Sequence, residues 1–243
     1  MRIPAALLLS FACGGNMSAF PDNPSVVMTL EQSGVDVDAL LLPPSETERA
    51  EARAAWRSRS LPAEDVREEA RFELPNEEVM LIISHASPNG RHLGAIRAPL
   101  AALEGGSYPI VVQLAGLAIE PSHVVPDPAA SLSSETTRGI GLWPAFRGQT
   151  IHFRDRAWSA DGDSWDFCDG STDDAISFLN AALEVIPGAD DSRVAAVGGS
   201  RGGNVALLMG IRDERVDVAV SLAGPTGFFS DVVMVHHNAY ILY

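Results

Sequence analysis

The sequence predicts an α/β domain built on a mostly parallel central sheet flanked by helices. Short apolar runs at Tyr108–Leu114, Val194–Val197 and Val216–Leu222 lack the strict apolar–polar alternation of a strand with one wet face. Runs of that kind belong inside parallel sheets covered on both faces. Helical patterns at Thr172–Val185 and Gly203–Ile211 separate them, and strand, helix, strand, helix, strand is the order of βαβ units. A hydrophobic share of 46% against 20% charged residues suits a buried core.

The elements follow in order. Met1–Cys13 carries one early charge, Arg2, then an apolar run and small residues. It is too short to span a bilayer, which takes about 20 apolar residues, and it has the plan of a secretory signal. Ser10-Phe11-Ala12-Cys13-Gly14-Gly15 also resembles a bacterial lipoprotein signal, so export is expected, with Cys13 as the lipid anchor. The destinations are periplasm, cell surface or medium. The bland alternative is an N-terminal core helix over Ile3–Ala12. Residues 1–20 form this segment, and 21–65 an extension that is turn-rich up to Pro43-Pro44. Ser45 and Glu48 then have the spacing of a capping box. The Ala-, Glu- and Arg-rich run Thr47–Ser58 predicts a solvated surface helix.

Residues 66–243 are read as the main domain. Val66–Leu74, Val79–Ser84 and His92–Arg97 predict strands, the last two joined by a turn at Pro88-Asn89-Gly90. Ile140–Ala145 is a further strand. Seven aspartates between Asp155 and Asp174 fit no EF-hand spacing and predict a solvated loop with helix-capping carboxylates. Trp158 and Trp165 within it either pack the loop or line a pocket.

Charge and composition exclude several functions. The formal net charge is −15, and all 17 basic residues are Arg. Such a chain is not expected to bind nucleic acid through phosphate neutralisation. Without Lys there is no Schiff-base chemistry and no lysine-dependent phosphate loop. Two cysteines, Cys13 and Cys168, make no disulfide framework. No cofactor or metal is implied.

The chemistry is concentrated in Val197-Gly198-Gly199-Ser200-Arg201-Gly202-Gly203. Gly198, Ser200 and Gly202 form G-x-S-x-G, a weak pattern unless a strand precedes it and a helix follows. Both are predicted here. Such a turn holds a serine in a strained conformation with its hydroxyl exposed, and the amide of Arg201 then lies at a helix N-terminus, where a developing oxyanion is favoured. Gly198 and Gly203 also have phosphate-loop spacing, but Asn204-Val205 stands where Lys and Ser or Thr are needed. A dinucleotide fingerprint would need Gly at 200. A glycine-rich turn without chemistry is the remaining alternative.

From about residue 70 to 231 the chain resembles an α/β-hydrolase domain, closest to the prolyl oligopeptidase (S9) and dienelactone-hydrolase-like branch. The residues that carry this are Gly198–Gly203, Pro144-Ala145-Phe146-Arg147-Gly148, the strand Tyr108–Leu114, Asp173-Asp174-Ala175-Ile176 and Ser221–Thr226. The resemblance implies Ser200 as nucleophile and Arg201 as one oxyanion N–H, with the second at Gly116 or Leu117. Ala115-Gly116-Leu117-Ala118 departs from the H-G-G usual there. It implies a small ester or peptide substrate. The family's order is Ser, then Asp or Glu, then His, and only 43 residues follow Ser200. Asp231 with His236-His237 is one candidate pairing and His152 another base, both disfavoured by position. The expectation is therefore a fold incomplete at its C-terminus, with Val216–Leu222 as an unpaired edge and with little or no activity. The alternative function is a hydrolase-like surface lipoprotein without catalysis.

Overall fold

Connections too short to cross over decide how the sheet begins. In the computed structural model, which describes residues 7–9, 44–87, 90–116, 123–124, 139–162, 166 and 168–224, three strands come first: β2 (Glu64–Leu74), β3 (Glu78–Ser87) and β4 (Gly90–Pro99). A parallel return needs a dozen or more linking residues. Only Pro75–Glu77 separates β2 from β3, with Asn76 and Glu77 in left-handed conformations. The three strands are thus an antiparallel meander.

The rest of the sheet comprises β1 (Leu7–Leu9), β5 (Tyr108–Leu114), β7 (Ile140–Ala145), β10 (Ala189–Gly199) and β11 (Val216–Leu222). The strand order is β1-β11-β10-β5-β7-β4-β3-β2. Pairings from β1 through β7 are parallel, and those from β7 through β2 antiparallel. The sheet is therefore mixed, which corrects the expectation of a mostly parallel one. The apolar run at β3 misled because β3 is buried on both faces while pairing antiparallel. Val79, Leu81 and Ile83 join one core; Met80 and Ile82 join another. The edge of β11 is also not left unpaired: Leu7–Leu9 lies against Val220–Leu222.

Two different layers cover the sheet. On one face lie α2 (Asp169–Val185) and α3 (Arg201–Arg212), around a core that includes Phe146, Phe178 and Leu179. Gly94 makes room for α2, since a Cβ there would overlap the Phe178 ring. On the other face is a three-stranded sheet that the sequence did not reveal. It consists of β6 (His123–Val124), β8 (Thr150–Phe153) and β9 (Arg156–Ser159). Ile151 and Phe153 pack there against Met80, Leu93 and Trp143.

The segment from Ala12 to Arg59 belongs with Thr226–Tyr243 to a second unit. Its described element is α1 (Glu46–Ser58). Ser45 caps it through a capping box with Glu48, and no residue of the helix is buried, as expected of a solvated helix. No described helix is long and apolar enough to cross a membrane.

Candidate active site

β10 ends at Gly199, α3 begins at Arg201, and Ser200 is the single residue between them. Its φ of 52° and ψ of −122° lie in a region that non-glycine residues avoid and that costs about 1–3 kcal/mol. Hydrogen bonds over-determine it. The Ser200 amide donates to Leu222 O at 2.9 Å, and Ser200 O accepts from the amides of Gly203 at 3.0 Å and Asn204 at 3.3 Å. The Ser200 side chain is exposed and has no hydrogen-bond partner among the described residues.

Close backbone approach explains two glycines of the motif. A Cβ on Gly198 would overlap the carbonyl of Gly202, and one on Gly202 would overlap the carbonyl of Leu114. The turn therefore sits hard against the end of β5, and any side chain at either position would push it away. Gly116, just beyond β5, completes this contact. A Cβ there would lie 3.4 Å from Gly199 O and 3.7 Å from the Ser200 Cβ.

The predicted residues distribute as follows. Ser200, Arg201 and Gly116 come together. The Arg201 amide, at the first position of α3, has no acceptor among the described residues and lies where the helix dipole favours negative charge. The Arg201 side chain is buried. Its Cζ lies 4.9 Å above the Phe146 ring, and its Nη2 donates to Gly116 O at 3.3 Å. Burial pulls its pKa down to about 10. Leu117, Asp231, His236 and His237 lie outside the described residues, as do Cys13, Trp165 and Asp163. His152 is on β8, in the small sheet. No described imidazole is within hydrogen-bond reach of the Ser200 hydroxyl.

Two histidines earlier in the chain, His85 and His92, form a second polar cluster. His85 and His92 face each other across the β3–β4 hairpin, both buried, with ring centroids 6.0 Å apart. The His92 Nδ1 lies 3.0 Å from Asp174 Oδ1 on α2. Asp174 also takes Arg147 in a two-pronged pair, Nε to Oδ2 at 3.0 Å and Nη2 to Oδ1 at 2.8 Å, with the Arg147 amide at 2.8 Å. Burial works to raise the Asp174 pKa, but the bonds from His92 and Arg147 outweigh it and hold the carboxyl low. The predicted solvated acidic loop is thus corrected at its far end. Asp174 is 3% exposed, and Asp169 and Asp173 pair with Arg212. Asp166 does cap α2, accepting from the Gly170 amide at 2.8 Å.

His85 is held neutral. Burial lowers its pKa from the usual 6.5 to about 4, against an opposing bond to Ala86 O. The sequence offered one usable signal for the pair. With the reversal centred between Pro88 and Asn89, residues 85 and 92 lie at equal distances on either side.

The chain matches no protein-family model and no curated sequence. Solved structures to which it is similar carry hydrolase names. An S-formylglutathione hydrolase from Agrobacterium tumefaciens is 15% identical, over 64% of this chain and 60% of that one, with a TM-score of 0.41. A glucuronoyl esterase from Solibacter usitatus is 14% identical, over 70% and 56%, with a TM-score of 0.44. Prolyl oligopeptidase B from Galerina marginata is 16% identical, over 56% of this chain but only 19% of its own, with a TM-score of 0.41. The chain thus spans less than two thirds of each. These are distant likenesses.

Proposed function

We propose that this chain is a serine hydrolase of the α/β-hydrolase type, cleaving a small ester or peptide by acyl transfer through Ser200. The observation that carries the reading is an exposed serine held at φ 52° on a one-residue bend between a parallel strand and a helix. Strain of this kind persists where the surroundings force it, and it clusters at active sites. In the reaction, Ser200 Oγ bonds to the carbonyl carbon, and the charge on the carbonyl oxygen is held by the Arg201 amide. The ester or amide bond then breaks with the proton passing to the leaving group, and water releases the acyl group. A base must take the hydroxyl proton first. No described imidazole is placed to do so, and we assign the base to none of the described residues.

That no described residue hydrogen-bonds the Ser200 hydroxyl favours a second reading, an inert hydrolase-like binding protein. A fluorophosphonate probe separates them. The enzyme labels at Ser200, and Ser200→Ala abolishes labelling; a folded chain that stays unlabelled is the binding protein. With either reading we propose export, carried by Arg2 and the apolar run that follows, with lipid on Cys13; cleavage there removes Leu7–Leu9, so β1 covers the β11 edge only in the uncleaved chain. Intact mass of the mature protein tests this, since an uncleaved, unmodified N-terminus overturns it.

A further inference from the structure

The segment that joins α1 to β2 is held on one side and loose on the other. Upstream, no residue of α1 is buried, and the helix is closed by its own capping box. Downstream, Leu61 and Ala63 pack against the core on the helix-covered face of the sheet. There Asn180 Nδ2 of α2 donates to Leu61 O at 2.7 Å, and Ser177 Oγ donates to Pro62 O at 3.1 Å. Between the two sides, Arg59 and Ser60 are exposed, and the chain passes from one compact unit to the other at this bond. Among the described residues, neither core draws on anything upstream of Leu61, and the sheet draws only on the three residues of β1.

The side chain at that bond is of one chemical class. The chain has no Lys, so cleavage beside a basic residue falls at arginine. The other described arginines lie in helices, strands or turns. Arg59 is extended, with φ −72° and ψ 125°, and residues 59–63 carry no regular structure. A helix or strand must open before a protease can take it, whereas an exposed extended segment is cut as it stands. We propose that Arg59–Ser60 is a processing site for an arginine-specific endoprotease of trypsin-like preference, and that the cut leaves β2–β11, α2 and α3 intact. Water adds across the peptide bond, its oxygen to the Arg59 carbonyl carbon and a proton to the Ser60 nitrogen. The new N-terminus stays tied to α2 through Leu61 and Pro62, so β2 does not peel from the sheet. Under the export reading the same cut detaches residues 60–243 from the lipid at Cys13. The site itself stands apart from that reading and from the hydrolase reading.

The test is a trypsin time course on the unaltered full chain, on Arg59→Gln and on Arg59→Lys, read by intact mass under denaturing conditions with thermal unfolding alongside. In the unaltered chain the first cut is expected after Arg59, and the fragment beginning at Ser60 should outlast its parent. Arg59→Gln should slow that cut at least ~100-fold, since a pocket built for a cation is left with an unpaired charge. Arg59→Lys should restore it. Both variants should melt within about 2 °C of the unaltered chain, as exposed substitutions do. A first cut after another arginine, a fragment from Ser60 degraded as fast as it forms, or an Arg59→Gln chain cut there at the unaltered rate would each overturn the proposal. Use of the site is read from protein recovered from the cells that make it. Chains beginning at Ser60 are expected; if every chain begins upstream, the segment is a linker and the processing site is refuted.

Discussion

The two halves of the sheet treat polar groups in opposite ways. In the antiparallel half, β3 and β4 bury His85 and His92 against α2, where His92 faces the Asp174–Arg147 pair while Nε2 of each histidine meets no hydrogen-bond partner among the described residues. In the parallel half, β10 delivers Ser200 to the surface in a strained conformation, its hydroxyl without a hydrogen-bond partner among the described residues. The difference follows from topology. Hairpins carry the chain back at the strand ends, so side chains near them face opposite neighbours and get covered. A parallel strand must leave the sheet at its C-terminal edge and turn into a helix, which exposes whatever residue sits on the bend. One half is arranged for stability and the other gives some of it up for an accessible reactive group.

Asp174→Ala should show the largest effect. Asp174 is buried and Arg147 half-buried; deleting one partner of a fully buried pair costs about 3–5 kcal/mol, and since Arg147 keeps its ion pair with Asp166 a loss at or just below the low end of that range is expected. Urea unfolding should show a shifted midpoint with an unchanged slope. Asp174→Asn keeps one acceptor and should cost less. A loss under 1 kcal/mol for Asp174→Ala would mean that the antiparallel half does not depend on this network, and the contrast between the halves would go with it.

Acid should act on the same half with a smaller effect. The unfolded chain takes a proton on His85 near pH 6.5, and the folded chain only near pH 4, so protons favour unfolding. The contribution from neutral His85 is complete above about pH 6.5 and declines as pH falls toward 4, where it levels off. A shift from 6.5 to about 4 corresponds to roughly 3 kcal/mol. Asp174, held low by His92 and Arg147, adds a loss in the same direction at still lower pH. In His85→Phe the decline between pH 6.5 and 4 should flatten. An unchanged pH profile in that variant would assign the acid sensitivity elsewhere.

The parallel half was the more legible in the sequence. Gly198, Ser200 and Gly202 between an apolar run and a helical pattern gave the bend and its neighbours, because steric demands there are local. Even so, β10 begins at Ala189, well before the apolar Val194. After Ala189 the ladder is interrupted until Val194, with Asp191 and Ser192 exposed in the irregular stretch, and polarity hid it. The four-residue strands β8 and β9 were missed for want of length; a period of two barely registers in Thr150–Phe153. The buried network was missed for a different reason. Arg147 and Asp174 are 27 residues apart, and nothing local distinguishes a carboxylate that will be buried by a partner from one that stays in water. At Asp174 the pattern of surrounding aspartates pointed the wrong way. The candidate site was legible at Ser200, Arg201 and Gly116, but the Arg201 side chain was not, since its burial depends on Phe146 closing over it from another strand.

The smallest predicted effect separates strain from chemistry. Ser200 holds φ 52° and ψ −122°, which glycine adopts without penalty from a Cβ. Ser200→Gly should therefore raise stability by about 1 kcal/mol, the low end of what a strained backbone costs, since the added entropy of a glycine in the unfolded chain offsets part of the relief. Ser200→Ala removes the same hydroxyl but keeps the Cβ, and should change stability by less than about 0.5 kcal/mol, as exposed substitutions do. The difference between the two variants is then the backbone's share alone. The equivalent test in the other half is Gly94→Ala, where the backbone is extended and the obstacle is the Phe178 ring; it should destabilise. Glycine gained at 200 and glycine lost at 94 thus move stability in opposite directions. If Ser200→Gly proves no more stable than Ser200→Ala, the bend is not strained, and the parallel half surrenders nothing to present its serine.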